Sequence, residues 1–243
     1  MPSANNQTGI PQPFLHTTPP EALGKIVHKS VEVGDRTFRI AYPSDNDRIL
    51  DHPSTQSAFA ADEYLPYWAE VWPASQMLAC ALVDPSILQR PLSPNHVALE
   101  LGCGVGLPGI VALSLGMHVI FTDYDATALD FASRNAIAHD LHNFETLALD
   151  WRVPPDLQVP LILAADVIYE ERNIPPLIAF IQSVLSPGGQ CLLSDPDRST
   201  RGGFCYALKQ AALTYTRHPF TVPGPSDRPV QGSVYRIQRL QSR

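Results

Sequence analysis

The sequence has few of the residues that build disulfide frameworks or metal sites. It contains only four cysteines in 243 residues, at positions 80, 103, 191 and 205. They form no C-x-x-C pair, and no histidine stands at a spacing that would complete a zinc site. We therefore expect buried free thiols and no metal centre.

Positive charge and long apolar runs are also scarce. There are 17 basic and 24 acidic residues, giving a net charge of −7, and the basic residues form no cluster. Because neutralisation of phosphates supplies much of the affinity for nucleic acids, this balance argues against DNA or RNA as the main partner. No segment approaches the roughly 20 apolar residues of a membrane span, so we expect no membrane association.

The amino-terminal segment lacks the features of a signal peptide. It is rich in proline, threonine, asparagine and glutamine, without a basic start or an apolar core. This composition predicts a flexible tail over residues 1–22. A β-hairpin and loop extension over 23–61 and one α/β domain over 62–243 account for the rest of the chain. We expect a cytoplasmic monomer.

A glycine-rich turn follows a short apolar run and organises the rest of the sequence. Residues 97–110 read Val-Ala-Leu-Glu-Leu-Gly-Cys-Gly-Val-Gly-Leu-Pro-Gly-Ile, which predicts a strand, a tight turn and a helix. Glycines let a backbone approach a ligand, and a helix N-terminus offers free N–H groups. The turn therefore predicts a nucleotide-like cofactor bound by Gly102, Cys103, Gly104 and Gly106.

Two cofactor classes fit this turn. Gly104, Gly106 and Gly109 satisfy the G-x-G-x-x-G dinucleotide pattern. Glu100, however, stands two residues before the first glycine, where it would repel a pyrophosphate but attract the ammonium group of S-adenosylmethionine. Asp123, at the end of the next predicted strand, would hold the ribose hydroxyls of either cofactor. Glu100 therefore favours S-adenosylmethionine over a dinucleotide. The alternative is an ordinary strand–helix connection, in which the glycines serve only the geometry of the turn.

Two segments resemble a known enzyme family. The sequence at 100–106, followed by Thr-Asp-Tyr at 122–124, resembles motif I and the acidic loop of class I S-adenosylmethionine-dependent methyltransferases. Pro-Tyr-Trp-Ala-Glu-Val-Trp-Pro at 66–73 resembles the segment before motif I in the protein lysine methyltransferases of this class, particularly the branch that modifies the electron-transfer flavoprotein β-subunit. The resemblance implies that Trp72 and Tyr124 lie at the cofactor pocket.

Acidic residues also follow two later strands. The resemblance implies that Asp150 and Trp151 flank the adenine, with the carboxylate accepting from the exocyclic amine; capping a turn is the alternative for Asp150. Asp166-Val-Ile-Tyr169 matches the Asp/Glu-x-x-Tyr/Phe signature of the same family. Asp166 and Tyr169 are therefore expected to be catalytic, with Asp166 also in the cofactor pocket. Alternatively, Asp166 caps a helix and Tyr169 belongs to the core.

One further turn resembles the electron-transfer flavoprotein branch. Asp195-Pro-Asp-Arg198 follows the fifth predicted strand. A rigid turn at this edge would present Asp195 or Arg198 to the target, while an ordinary surface ion pair is an equally good interpretation.

The remaining pattern predicts a Rossmann-like, doubly wound α/β fold with a seven-stranded sheet. Its antiparallel C-terminal hairpin covers 213–222 and 233–240, and Asp125 caps a helix. A helix stops at 186–189, before a strand at 190–194. An N-terminal hairpin over 27–42 acts as a lid or an edge, and residues 43–61 form a polar loop.

These features predict an S-adenosylmethionine-dependent N-methyltransferase that modifies a lysine side chain of a protein. Methyl transfer needs alignment more than covalent help, in keeping with a sequence that shows no Ser-His-Asp set. A small-amine N-methyltransferase, an NAD(P)-binding oxidoreductase and a non-catalytic cofactor-binding module are the alternatives. The oxidoreductase calls for a Tyr-x-x-x-Lys pair, and Tyr169-Glu-Glu-Arg-Asn173 has no lysine there.

Overall fold

Alternating strands and helices make up most of the chain. The computed structural model describes residues 16–88, 96–225 and 228–240. Its strands are β1 Ile26–Val33, β2 Arg36–Pro43, β3 Val97–Leu101, β4 His118–Asp123, β5 Phe144–Ala148, β6 Val159–Ala165, β7 Leu185–Asp195, β8 Leu213–Pro223 and β9 Pro229–Arg239. Its helices are α1 Pro20–Leu23, α2 Asn46–Leu50, α3 Pro53–Asp62, α4 Pro73–Val83, α5 Leu107–Ser114, α6 Ala126–Ala138, α7 Ile174–Val184 and α8 Arg201–Gln210, with short 3-10 helices at Tyr67–Ala69 and Glu171–Asn173.

Seven strands form one sheet in the order β5-β4-β3-β6-β7-β9-β8. The first five run parallel, and β9 lies antiparallel between β7 and β8. The chain moves outward from β3 through β4 to β5, then returns to place β6 on the other side of β3. Such a reversal opens a crevice at the carboxyl ends of the two central strands. The predicted doubly wound fold with a C-terminal hairpin is confirmed.

Helices cover both faces of the sheet, which explains why its central strands are continuous apolar runs. Successive side chains of β6 alternate between two buried clusters. Leu161 and Leu163 pack in the cluster that includes residues of α4, α5 and α6. Ile162 and Ala164 pack in the cluster that includes residues of α7 and α8. The sheet is therefore buried on both sides and leaves its carboxyl edge for a ligand.

The N-terminal hairpin is present, but its predicted role is wrong. Strands β1 and β2 pair with each other in a separate two-stranded sheet. Asn135 of α6 donates to the carbonyl of Ala41 and accepts from its N–H, which fixes the hairpin on the outside of that helix. The hairpin is thus no edge of the main sheet. All of its residues are described, and none lines the cavity reported below.

Residues 43–61, expected to form a polar loop, contain two helices. Asp45 caps α2 by accepting from the N–H of Arg48, and His52 caps α3 by accepting from the N–H of Ser54. In α3 only Thr55 is buried. The segment therefore lacks the apolar periodicity by which a helix is recognised in a sequence.

The segment 186–189, which was predicted to end a helix, lies inside strand β7. The strand begins at Leu185, which pairs with Val159, whereas Leu161 already pairs with Gln190. Gly188 takes a φ of +75°, and a Cβ on Gly189 would lie 2.8 Å from the carbonyl oxygen of Pro160. The glycines thus form an irregularity within the strand instead of ending the helix before it.

Part of the predicted flexible tail packs against the main body. His16 donates its N–H to the carbonyl of Tyr124, and its own carbonyl accepts from Ala126. Residues 1–15 of that tail lie outside the described residues, so the tail and the domain boundaries remain predictions there. Across 16–88, 96–225 and 228–240, no helix combines the length and apolar character needed to cross a membrane.

The cysteines are less uniformly buried than expected. All four are free thiols. Cys103 and Cys191 are buried, whereas Cys80 and Cys205 are half-buried.

Candidate functional site

The glycine turn connects β3 to α5 and lines one end of a cavity. Gly102 and Gly104 have φ angles of +65° and +52°, which side chains with a Cβ rarely adopt. A Cβ on Gly104 would lie 3.2 Å from the carbonyl oxygen of Trp68. Gly102, Cys103 and Gly104 all line the cavity. The turn therefore presents its backbone to any ligand bound there.

Gly106, also expected to bind the cofactor, is not among the residues that line the cavity. A Cβ at this position would lie 2.8 Å from the Cβ of Ala132 on α6. Gly109 is equally crowded, because a Cβ added at this position would lie 2.4 Å from both Glu100 Oε2 and the ring of Phe121. These two glycines allow α5 to pack closely on the sheet and on α6.

One buried and one half-buried acid lie beneath the turn. Glu100 is 2% exposed, and its Oε2 accepts from the N–H of Gly109 at 3.0 Å. Burial raises the pKa of Glu100 well above its usual value. Asp123 accepts from the N–H of Gly104 at 2.9 Å and from that of Asp125 at 3.0 Å. Burial raises the pKa of Asp123 to about 6, although both backbone hydrogen bonds oppose the shift.

Another part of the cavity lining follows β6. Asp166 has a φ of +62° and donates its N–H to the carbonyl of Ser194. It caps no helix; instead its carboxylate forms a two-pronged ion pair with Arg198. Burial raises the pKa of Tyr169 to about 12, so its phenol is neutral near pH 7. Asp166 and Tyr169 both line the cavity, and their catalytic role stays a prediction.

Aromatic rings form the wall beside Tyr169. The ring of Tyr67 meets that of Tyr169 edge-on, with 5.4 Å between centroids. Trp72 donates its indole N–H to the carbonyl of Tyr67 at 2.6 Å. The structure thus places Trp72 beside the ring pair of Tyr67 and Tyr169, and Trp72 itself lines the cavity. Its predicted contact with the cofactor stays a prediction.

A network of charged groups closes a third side of the cavity. Asp150 accepts from the N–H and the Nε of Arg152. The guanidinium of Arg152 reaches both oxygens of Asp62, at the end of α3, at 3.0 Å each. Tyr124 donates its hydroxyl to the same carboxylate. The hydrogen bond from Arg152 is the main reason that the pKa of Asp62 falls to about 2.

The sequence did not predict that Arg152 and Asp62 would form an ion pair in the wall of the cavity. The carboxylate of Asp150 is already engaged by Arg152, and Trp151 lies against Gly102, whose Cβ would stand 3.5 Å from the indole ring. The end of α3 and the residues after it line the cavity. The one signal in the sequence for the role of Arg152 is its position directly after the Asp150-Trp151 pair.

Asp125 does more than cap α6. It accepts from the N–H of Thr127 at 2.7 Å, as predicted for a cap. Its other oxygen accepts from the hydroxyls of Thr18 and Tyr64 and from the indole N–H of Trp68. One fully buried carboxylate therefore joins the amino-terminal segment, the segment after α3 and the 3-10 helix at Tyr67–Ala69.

The cavity has a volume of about 870 Å³, within the range of small-molecule sites. Its charged lining is mainly acidic, with eight carboxylates and three guanidinium groups. The members of this lining are Asp62, Glu63, Glu70, Glu100, Asp123, Asp150, Arg152, Asp166, Glu170, Arg172 and Arg198. Such a lining favours a cationic ligand over a pyrophosphate. Among the described residues, no group of three or more His, Cys, Asp or Glu side chains is arranged to hold a metal ion.

Comparison with solved structures supports the fold. A putative RNA methyltransferase from Pyrococcus horikoshii superposes with a TM-score of 0.56 at 16% identity, covering 72% of this chain and 89% of its own. At this identity the likeness concerns the architecture alone.

Comparison with curated proteins points to one family. Protein N-lysine methyltransferase METTL21A of Xenopus tropicalis is 35% identical over 55% of this chain and 62% of its own length. The electron transfer flavoprotein beta subunit lysine methyltransferase of Mus musculus is 27% identical over 69% of this chain and 63% of its own. The chain thus spans less than two thirds of these relatives.

The match to the family itself covers more than half of the chain. The lysine methyltransferase family model aligns with residues 66–208, from the aromatic segment before α4 to the last turn of α8. This range contains the glycine turn, Asp123, the Asp150-Trp151 pair and the Asp166–Tyr169 signature. The chain therefore belongs to the lysine methyltransferase family.

Proposed function

We propose that the protein is an S-adenosylmethionine-dependent N-methyltransferase that modifies a lysine side chain of a protein substrate. One observation carries the proposal: the glycine turn with Asp123 and the Asp166–Tyr169 pair line a single cavity. The first group suits a nucleoside cofactor, and we assign the second to the methyl acceptor. The names of the two curated relatives, both lysine methyltransferases, support lysine as the acceptor.

The residues of the cavity fit S-adenosylmethionine. The backbone of Gly102, Cys103 and Gly104 would face the cofactor, and Asp123 would accept from the ribose hydroxyls. A carboxylate has about four lone-pair sites, and the two backbone N–H groups occupy only part of that capacity. Trp151 and Asp150 would flank the adenine. Tyr124 would close the ribose side, and its hydroxyl donates to Asp62.

The chain's own contribution to the reaction is alignment and exclusion of water. The cofactor supplies a methyl group activated on sulfur, which the lone pair of the amine takes as the carbon–sulfur bond breaks toward sulfur. A lysine ammonium has no lone pair, so it must first release a proton to solvent. Tyr169, with a pKa of about 12, is a neutral phenol that can donate a hydrogen bond but is no base near pH 7.

Labelling of an extract tests this function. The purified protein is incubated with radiolabelled S-adenosylmethionine and a proteome that lacks the gene, and labelled proteins are digested and analysed by mass spectrometry. We expect the added methyl groups on lysine Nε. Label on a small amine alone, or cofactor binding without transfer to any acceptor, would contradict the proposal in favour of one of its alternatives.

Cofactor affinity should depend on pH through Asp123. Ribose hydroxyls need the ionised carboxylate as acceptor, and the pKa of Asp123 is about 6 before a ligand binds. The affinity for S-adenosylhomocysteine should therefore be constant only well above pH 6, drop to about half of that value near pH 6, and fall by up to roughly tenfold per pH unit below it. Calorimetric titrations from pH 5 to pH 8 measure this.

Asp123→Asn is the matched control for that titration. It removes the titrating group, so its weaker binding should lose most of the pH dependence. NADH is titrated in parallel and should not bind, because the acidic lining opposes a pyrophosphate. An identical pH profile in the wild-type protein and the variant would place the titration elsewhere, and tight NADH binding would contradict the choice of cofactor.

A further inference from the structure

Three charged side chains meet at the end of the cavity where β6 and β7 finish. The guanidinium of Arg198 pairs with both carboxylate oxygens of Asp166, the Nη2–Oδ2 distance being 3.2 Å. The same guanidinium lies 3.2 Å from Oδ2 of Asp195. Arg198 therefore stands between two acids, one of which belongs to the family signature.

Asp195 holds Arg198 in place from behind. Its side chain is 0% exposed at the end of β7, and its Oδ1 accepts from the backbone N–H of Arg198 at 2.8 Å. Both the backbone and the side chain of Arg198 are thus fixed by one buried carboxylate. Burial raises the pKa of Asp195, and the neighbouring Arg198 opposes that rise. The arginine is a built part of the wall and differs from an ordinary surface ion pair.

The pairing changes what Asp166 offers an acceptor. An unpaired carboxylate at the acceptor position would favour the protonated amine and so raise its pKa. Arg198 offsets the charge of Asp166 yet leaves lone pairs on its oxygens, which can still accept from an amine N–H. The Asp166 carboxylate can therefore still orient the amine, while its electrostatic preference for the ammonium form is reduced.

The other charged groups at this end have their own partners. Arg172 pairs with Glu63 and with Glu170. Glu70 accepts from the side-chain amide of Asn46. None of these described contacts involves Asp166, so Arg198 is the cation whose removal should act most directly on that carboxylate.

We propose that Arg198 is a positioning residue that fixes the Asp166 carboxylate and neutralises it, so that the site takes the acceptor amine in its uncharged form. This inference rests on the proposed function, because it assumes that Asp166 faces the methyl acceptor. It assigns the Asp195-Pro-Asp-Arg198 turn to the acceptor site.

A pair of cofactor analogues tests the role of Arg198 without a substrate. S-adenosylhomocysteine is neutral at sulfur, whereas sinefungin carries an ammonium group in place of the methylated sulfonium. In Arg198→Met the charge of Asp166 is no longer offset. The measured quantity is the ratio of the affinity for sinefungin to the affinity for S-adenosylhomocysteine, each determined by calorimetry. This ratio should be at least about tenfold higher in Arg198→Met than in the wild-type protein.

Four further variants make the result specific. Arg198→Gln keeps a donor for the buried Asp195, so the test does not depend on the folding of the methionine variant, and it should show the same rise. Arg198→Lys keeps the charge and should stay within about threefold of the wild-type ratio. The double variant Asp166→Asn/Arg198→Met should return to that ratio. Arg134→Met removes an exposed ion pair on α6 and should change nothing.

The outcomes separate this inference from the function on which it rests. A ratio within threefold of wild type in both uncharged variants, with S-adenosylhomocysteine still bound, would overturn the role of Arg198 alone. So would a rise that persists in the double variant. Failure of the wild-type protein to bind S-adenosylhomocysteine would overturn the proposed function and this inference with it.

Discussion

Asp166→Asn should lower methyl transfer at least ~10²-fold while leaving cofactor affinity nearly unchanged. The asparagine keeps the size of the side chain and can still accept from Arg198, so the wall of the cavity should hold its shape. What is lost is the charge and one acceptor oxygen directly after β6. The measurements are single-turnover methylation of the substrate found by labelling and calorimetry with S-adenosylhomocysteine.

Tyr169→Phe provides the comparison for that variant. It removes only a hydroxyl and retains the ring that meets Tyr67 edge-on, so its effect on turnover should be milder. In both variants we expect S-adenosylhomocysteine affinity within about threefold of wild type, since neither loses a group from the glycine turn. If Asp166→Asn lost binding and turnover in parallel, Asp166 would belong to the cofactor site. If it lost neither, the residue would have only a structural role.

Asp125→Ala should lower the free energy of unfolding by about 3–5 kcal/mol. The hydroxyls of Thr18 and Tyr64 would lose their acceptor, and the indole N–H of Trp68 would keep only its longer contact to the Thr18 hydroxyl. The helix cap at Thr127 would be lost as well. Because the carboxylate is 0% exposed, water replaces these hydrogen bonds poorly. Urea denaturation measures the change.

Asp130→Ala is the matched control on the same helix. Asp130 pairs with Arg134, and both side chains are largely exposed. An exposed pair of this kind contributes little, so the control should lie within about 0.5 kcal/mol of wild type. Equal stability of the two alanine variants would mean that the donors around Asp125 find other partners.

The order of apolar runs and polar strand ends was enough to predict the position of most candidate residues. Glycine and acidic residues follow β3, β4 and β6 directly in the sequence. Parallel strands bring their carboxyl ends to one edge, so residues at those ends must lie together. This is why Gly102, Asp123 and Asp166 line one cavity.

Predictions were less accurate where the sequence carries no apolar period or where a residue has two structural uses. Helices α2 and α3 are defined by caps and bury little, so their segment resembles a loop in the sequence. Gly106 has the spacing of a cofactor-binding glycine, yet the close approach of Ala132 explains its lack of a side chain. Spacing along the chain does not tell which neighbour a glycine accommodates.

By itself, the sequence determined the fold class, the edge of the sheet that carries the site and the family, because these depend on local periodicity and short motifs. Only the tertiary structure decided which charges meet. Arg198 reaches Asp166 across 32 positions, and Arg152 reaches Asp62 across 90. Asp125 joins Thr18 from 107 positions away. Such pairs depend on how distant segments cross the sheet edge, and a chain with many acids and arginines allows many alternatives until packing selects one.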